Sequence, residues 1–411
     1  MQVVYEKCAG LDVHKKTVVA CRICPGETGH WEKEIRTFGT LTDELLMLAD
    51  WLRAGEVSHI AMESTGVYWK PIFNILEGEF EVLLVNAQHI KFVPGRKTDV
   101  KDAQWIAELL QQGLVKGSFI PDVEQRDLRE LTRYRTKLVQ TRSSEINRVQ
   151  KVLEDANIKL GSVASNVLGV SGREMLEHII AGQHDPMLLA QLARGRLRSK
   201  IADLERALTG RVREAHRLLL KLHLEHIDDL NAKIEALSDE IAQLLIPFDK
   251  DQALERLDDI PGVNRLTVEV LLAELGVDMS QFPNSRHAAS WAGLAPGNNQ
   301  SAGKNQSGKT RKGNKALKAT LVQAAHAAGR SKDNYLSAQY RRLASRRGKK
   351  RAAVAVAHSI LVIAYSMLKR GTVYTDLGHD YFERRNEQQT QRNLVNRLER
   401  LGFKVTVEPA A

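Results

Sequence analysis

Residues 97–104 read Lys-Thr-Asp-Val-Lys-Asp-Ala-Gln, and both the fold and the chemistry of the chain turn on this stretch. Thr98 suits an N-cap, and Val100, Ile106, Leu109 and Leu110 follow at apolar-periodic positions, so Asp99 and Asp102 are expected to open a helix. Residues three apart share a helical face, which lets the two carboxylates converge on one point. The plainer reading is a pair of N-terminal acids favoured by the helix dipole.

Two upstream acids change the balance. The run Val3 to Val13 ends in Gly10-Leu11-Asp12-Val13-His14-Lys15, and Lys16 to Cys24 is again apolar and β-branched, which predicts a hairpin whose first strand carries Asp12. A third strand is expected near Ile35 to Phe38, then a helix over Leu41 to Trp51. Next, the segment Ser58 to Gly66 forms a short strand that delivers Glu63 at its end, and a helix from Tyr68 to Leu76 leads to the apolar strand Val82 to Val85. That order predicts an α/β ribonuclease-H-like domain in which Asp12, Glu63, Asp99 and Asp102 meet. Clustered carboxylates raise one another's pKa unless a cation joins them. Oxygen-only ligands select Mg²⁺ or Mn²⁺, and a pair of such ions suits nuclease-like or transesterase chemistry on a nucleic acid.

Composition fits this reading. At 411 residues the chain exceeds the size of one core, so two or more domains are expected, and a net charge of +10 favours a polyanionic partner. The three cysteines, Cys8, Cys21 and Cys24, imply no disulfide framework and suit a reducing cytoplasm. Cys21 and Cys24 have the spacing of half a zinc site, but they read as ordinary strand residues because no second pair completes it. The N-terminus lacks the apolar core of a signal peptide, and Ala352 to Tyr365 reads as a buried helix, too short and too interrupted to span a bilayer.

The motifs Gly10-Leu11-Asp12-Val13-His14-Lys15, Met62-Glu63-Ser64-Thr65-Gly66 and Lys97-Thr98-Asp99-Val100-Lys101-Asp102-Ala103 resemble the N-terminal DEDD domain of transposases of the insertion sequence 110 family, a domain similar to the RuvC Holliday-junction resolvase. The resemblance implies that Asp12, Glu63, Asp99 and Asp102 are metal ligands.

Beyond these motifs, Arg126 to Leu160 reads as one long helix with Arg129, Arg133 and Arg142 among many cations. A solvated charged face is the plain reading; beside a nuclease-like domain, contact with a phosphate backbone is preferred. In the resembling family this region helps hold a structured guide RNA, the bridge RNA, which pairs with donor and target DNA. Residues 160–172 read as a connection. Ile227, Leu230, Ile234, Leu237, Ile241 and Leu244 then step alternately by three and four, the seam of a coiled coil. Self-association into a homo-oligomer, dimer or tetramer, is the favoured way to bury it; pairing with Ile201 to Leu220 is the rival.

Asp259-Ile260-Pro261-Gly262-Val263, followed by Leu266 to Leu275, resembles a helix-hairpin-helix, whose exposed N–H groups suit a phosphate; a simple packing turn is the alternative. From Ser301 to Lys318 there is no acid, while Lys304, Lys309, Arg311, Lys312 and Lys315 crowd a glycine-rich loop in which Ser301 has small neighbours. No His or carboxylate lies near Ser301 in sequence, so its activation is expected from elsewhere. Gly293-Leu294-Ala295-Pro296 followed by Ser301, and Lys312-Gly313-Asn314-Lys315-Ala316-Leu317, are similar to the C-terminal transposase motif of the same family, which implies that Ser301 is the covalent nucleophile. The family pattern Ser-Gly-Gly stands here as Ser301-Ala302-Gly303, and the nearby Gln306-Ser307-Gly308 leaves Ser307 as an alternative. Arg346 and Arg347 belong to a further basic run expected to touch DNA. Residues 375–411 carry one polar helix and a strand-like piece at Phe403 to Val407, with no role assigned.

The expected organisation is a RuvC-like catalytic domain over 1–125, a helical and coiled-coil region over 126–250 and a mainly helical serine transposase domain over 251–411. The expected activity is insertion-sequence transposition in the bacterial cytoplasm, at the nucleoid and without a membrane. A metal-dependent junction nuclease using water and a non-catalytic nucleic-acid scaffold are the rivals.

Overall fold

A computed structural model describes residues 3–26, 30–64, 66–85, 102–249, 252–297, 299–301, 304–385 and 387–407; at 299–301, 304–307 and 387–390 it describes the backbone. The chain divides into two compact units, Met1–Pro121 and Asp122–Ala411.

The first unit is a five-stranded sheet in the order β3-β2-β1-β4-β5. The strands are β1 (Cys8–Val13), β2 (Thr17–Pro25), β3 (Trp31–Gly39), β4 (His59–Glu63) and β5 (Glu81–Val85). The first three pair antiparallel, and β4 and β5 join β1 in parallel. One face of β1, with Ala9, Leu11 and Val13, packs under α1 (Thr42–Ala54) and α2 (Trp69–Leu76). The opposite face, with Cys8 and Gly10, is covered by α3 (Asp102–Gln111) through Ala103, Ile106, Ala107 and Leu110. The expected strands and helices of this unit are present among the described residues, the last helix from Asp102 onward, while Thr98, its expected N-cap, lies outside them. Burial pushes the Cys8 thiol up to about 12 and the Cys21 thiol up to about 11, and both side chains lie in the core against α3.

The second unit begins with α4 (Val123–Asp155), started by Asp122, whose carboxylate accepts from the Gln125 N–H at 2.8 Å. It runs antiparallel to α9 (Glu214–Leu244): Arg135 reaches Ser238, Arg142 reaches Asn231, Glu145 reaches His223 and Asp155 reaches Arg213. Along the seam of α9, Ile227, Leu230 and Ile241 are buried, and Ile234, Leu237 and Leu244 are half-buried. The helix packed on α9 is α4, a partner that periodicity did not identify. At one end of the pair, α5 (Leu160–Val163), α6 (Val170–Ile180), α7 (Pro186–Gln191) and α8 (Ile201–Leu208) close a core around Leu153, Met175, Leu176 and Leu204. The stretch read as a connection, residues 160–172, therefore contains α5 and the start of α6.

The remainder is mainly helical: α10 (Ala253–Asp258), α11 (Arg265–Leu275), α12 (Ser285–Trp291), α13 (Lys315–Arg330), α14 (Tyr335–Arg347), α15 (Lys349–Arg370), α16 (Tyr381–Arg385) and α17 (Glu387–Glu399), with a two-stranded hairpin between α12 and α13. Helix α15 is long and apolar enough by composition to cross a membrane, yet it is the core helix of this group, with Val356, Ile360, Leu361 and Ala364 buried and the Tyr365 hydroxyl donating to the Phe282 carbonyl at 2.9 Å. Phe403 to Val407 forms no strand; no neighbouring strand offers it a ladder among the described residues.

Candidate metal face and serine hairpin

Alternation along β1 puts Asp12 on the face of Cys8 and Gly10, and alternation along β4 puts Glu63 on the face of Ala61, which is the same α3-covered face. The parallel register runs Gly10↔Ala61 and Leu11↔Met62, so one further step sets Asp12 beside Glu63. Asp102 opens α3 over this face. Gly10 governs the approach: a Cβ there would lie 2.3 Å from the Ala103 carbonyl oxygen and 2.3 Å from the Ala107 nitrogen, so only glycine lets the backbone of α3 rest on β1. The sequence thus spends no side chain at residue 10 in order to bring the helix that carries Asp102 down onto the strand that carries Asp12. Asp12 is 20% exposed and stands 3.2 Å from His14 Nε2. Asp99 lies outside the described residues. Among the described residues, no three His, Cys, Asp or Glu side chains are close enough to grip one ion together. The donor set on this face is carboxylate oxygen, which suits a hard divalent cation.

Gly10→Ala is expected to destabilise the first unit by about 1–3 kcal/mol, the cost of overpacking against a backbone that must move away. Urea unfolding checks this, and an unchanged midpoint would show that α3 does not rest on β1.

The serine segment is built on a pair of apposed glycines. Gly293 has φ +69°, and a Cβ on Gly313 would fall 2.3 Å from the Gly293 nitrogen and 2.5 Å from the Trp291 carbonyl. The Asn314 N–H donates to Trp291 O at 3.0 Å, the Gly297 N–H donates to Lys309 O at 2.9 Å, and Pro296 bridges Thr310. From this base rises a hairpin of β6 (Asn299–Ser301) and β7 (Lys304–Ser307). Ser301 pairs with Lys304 at the turn end, whereas Ser307 pairs with Asn299 at the base. Asn314 also caps α13 by accepting from the Leu317 N–H at 3.1 Å, and Lys318 donates to Gly293 O at 3.0 Å and Thr310 Oγ1 at 2.6 Å. Hence Gly313, Asn314 and Lys318 hold the loop, while Lys309, Arg311, Lys312 and Lys315 are exposed. Lys304 is described in backbone only.

A cleft of about 1280 Å³ opens beside the hairpin base, lined by Pro296, Thr310, Arg347, Lys350, Arg351 and His358 among others. Arg346 lies in an adjoining groove. Burial lowers the pKa of His358. In the sequence this histidine reads only as a polar interruption of the apolar run Ala352 to Tyr365.

Three arginines expected on nucleic acid also have partners within the fold. Arg129, expected on nucleic acid, is only 11% exposed in its side chain and donates from Nε to Ala273 O at 2.9 Å beside the fully buried Glu274. Burial pushes its guanidinium down to about 10, far enough above neutrality that it enters as a cation, with Glu274 opposing the shift. Arg133 makes a two-pronged pair with Glu274 at 2.6 and 2.8 Å, and Arg142 donates to Asn231 at 2.8 Å. Arg129 and Arg133 thus tie α4 to α11, and Arg142 ties it to α9. The Pro-Gly turn between α10 and α11 has a packing role too: a Cβ on Gly262 would lie 2.4 Å from Ala324 O, and Asn264 already caps α11.

An acidic α/β face and a glycine-braced serine hairpin in one basic chain mark a class of enzyme that works on phosphodiesters. Comparison with known proteins narrows this to transposases. Residues 9–158 match the DEDD IS110 transposase family model, and residues 254–341 match the model described as transposase IS116/IS110/IS902 family. The chain is 28% identical over 375 residues to the transposase for insertion sequence element IS1111A of Coxiella burnetii, covering 90% of this chain and 91% of that protein. It is 26% identical to a probable family 20 transposase of Pseudomonas aeruginosa, covering 77% of this chain and 85% of the relative. The transposase for insertion sequence element IS1328 of Yersinia enterocolitica is likewise 26% identical, with the same coverages. The chain belongs to the IS110 family of insertion-sequence transposases, enzymes whose substrate is DNA.

Proposed function

We propose that this transposase cuts and rejoins DNA strands by divalent-metal-dependent attack of Ser301, with the strands selected by base pairing to a structured bridge RNA. The observation that carries the reading is that Asp12 and Glu63 share the face of the sheet on which the helix opened by Asp102 rests, through the close approach at Gly10. The strand order 3-2-1-4-5 supports a ribonuclease-H-like, RuvC-like assignment for residues 1–125. The long α4–α9 pair supports an arm over 126–250, and the hairpin and helices beyond it support a serine domain over 251–411.

Asp12, Glu63, Asp99 and Asp102 would hold Mg²⁺ or Mn²⁺, which when bound neutralises charge at the scissile phosphate and lowers the pKa of a nearby hydroxyl. Ser301 Oγ gives up its proton to water and forms a bond to phosphorus while the bond to the 3′ oxygen breaks and that oxygen takes up a proton from water, leaving a phosphoserine link and a free 3′ hydroxyl. Attack by a different 3′ hydroxyl reverses the exchange onto a new strand. Because one ester replaces another, no nucleoside triphosphate is needed. The placement of Ser301 at the turn end, opposite Lys304, supports it over Ser307. Lys309, Arg311, Lys312, Lys315, Arg346 and Arg347, all exposed, contact the phosphate backbone, and the half-exposed Arg133 and part-exposed Arg142 keep an edge toward the RNA. The acids and serine of one working site come from different copies in a homo-oligomer, dimer or tetramer, assembled in the bacterial cytoplasm at the nucleoid. With the α9 seam packed on α4, association uses other surfaces as well.

The test is to sequence the RNA that copurifies with the protein and to supply that RNA with matching donor and target DNA. Recombinant product is expected with Mg²⁺ or Mn²⁺ and none with EDTA. Product formed without divalent metal, or the absence of a discrete bound RNA, overturns the metal or the guide part of the reading respectively.

A further inference from the structure

We propose that Phe382 and Arg342 form a stacking platform for an unpaired nucleobase of single-stranded DNA, in a groove that continues from the base of the serine hairpin. Helix α16 brings Tyr381 and Phe382 against α14: Phe382 stacks on Tyr335 with centroids 5.3 Å apart and planes 19° from parallel, and Tyr381 meets Tyr335 edge-on at 5.2 Å. The guanidinium of Arg342 lies over the Phe382 ring at 5.1 Å, and the Arg342 side chain is exposed. An arginine plane on an aromatic ring is the surface that a base extends or takes over, because every base offers a π-face and the stack needs no sequence.

The surroundings are cationic. Arg342, Arg346, Phe382 and Arg385 line one groove of about 380 Å³, and Gln339 and Leu343 are shared between that groove and the larger cleft beside the hairpin. Among the described residues, Arg342, Arg346, Arg347, Lys350, Arg351 and Arg385 have no carboxylate partner, whereas the neighbouring Arg384 is tied to Asp380 at 2.9 Å. Such a set of unneutralised cations flanking an aromatic stack matches a phosphate backbone with its base turned inward. Duplex DNA hides its base faces, so an unpaired strand is the occupant. DNA is favoured over RNA because the groove runs into the cleft bounded by Pro296, Gly308 and Thr310, the foot of the hairpin on which the proposed nucleophile stands. The platform holds the nucleotides flanking the cut phosphate once they are unpaired, and so gives the otherwise unassigned segment after Gly371 a task.

This inference rests on the proposed strand exchange for its location, but it is tested without catalysis. Full-length Ser301→Ala protein, freed of nucleic acid and kept in EDTA, is titrated into a fluorescent oligo(dT), its duplex with oligo(dA), and oligo(U). Adding Phe382→Ala is expected to weaken oligo(dT) binding about tenfold with an unchanged salt slope, the loss of one stacked base. Adding Phe382→Trp is expected to retain binding, which separates stacking from misfolding, and Arg346→Ala is expected to flatten the salt slope. Duplex binding is expected to change little. Oligo(dT) binding unaffected by Phe382→Ala, an equal loss on duplex, or a loss confined to oligo(U) overturns the proposal. None of these outcomes depends on whether Ser301 forms an adduct, so either idea can fail alone.

Discussion

Ser301→Ala is expected to abolish both strand cutting and any covalent protein–DNA adduct, a loss of roughly 10³-fold or more, since alanine offers no oxygen to phosphorus. If Asp12 is a metal ligand as proposed, Asp12→Asn is expected to stop cutting as well while leaving nucleic-acid binding in place, because one carboxylate charge is lost from the face of the sheet but the fold around β1 is not. Ser307→Ala is expected to cut like the parent, since Ser307 stands at the base of the hairpin and not at its turn end. The readout is a denaturing gel of labelled DNA incubated with the protein, its copurified RNA and Mg²⁺, with and without protease. Persisting cleavage by Ser301→Ala, without adduct, would establish a water-using junction nuclease. Intact binding with no metal-dependent exchange by the unaltered protein under these conditions would establish a scaffold.

Glu274→Ala should cost about 3–5 kcal/mol of stability in the second unit, the range for removing one member of a buried ionic cluster. Glu274 is fully buried and accepts from Arg133 at 2.6 and 2.8 Å and from Asn314 Nδ2 at 2.6 Å, with Arg129 Nε at 3.5 Å. Its loss leaves Arg129, itself mostly buried, as a cation without its counter-charge. Arg133→Ala should cost less, because that side chain is 50% exposed and water can take over part of the role of the pair. Thermal and urea unfolding distinguish the two, and a Glu274→Ala midpoint equal to that of the parent would refute the cluster as a structural device. Since Asn314 caps α13 and bonds Trp291 beside the hairpin base, the same change is expected to loosen the serine loop and reduce activity beyond the stability loss.

The first unit was legible because short strands announce themselves by alternation and a buried helix by spacing. The strands that carry Asp12 and Glu63 and the helix that carries Asp102 were legible in sequence, although the reason α3 lies so close, Gly10, reads there only as one more glycine. The structural partner of Arg129 was not legible for a physical reason: Glu274 lies 145 residues along the chain, and no local pattern announces a partner at that distance. The seam of α9 shows the same limit. A stripe of Ile and Leu states that something must cover it, while the cover, α4, is fixed only by how the chain folds back. Phe403 to Val407 has strand-like composition but no neighbour to pair with among the described residues, and Phe382 was passed over because α16 is five residues long.

The apposition of Gly293 with Gly313 has a consequence for how this transposase can be altered. Both legs of the intervening chain are fastened to each other at Gly297 and Lys309, so the loop between them starts from a fixed base. Lengthening a loop whose ends are already pinned carries a small entropic penalty, about 0.6 kcal/mol per doubling. The tip is therefore a place where natural variation, or a designer's insertions, can extend the reach of the enzyme without refolding its foundation.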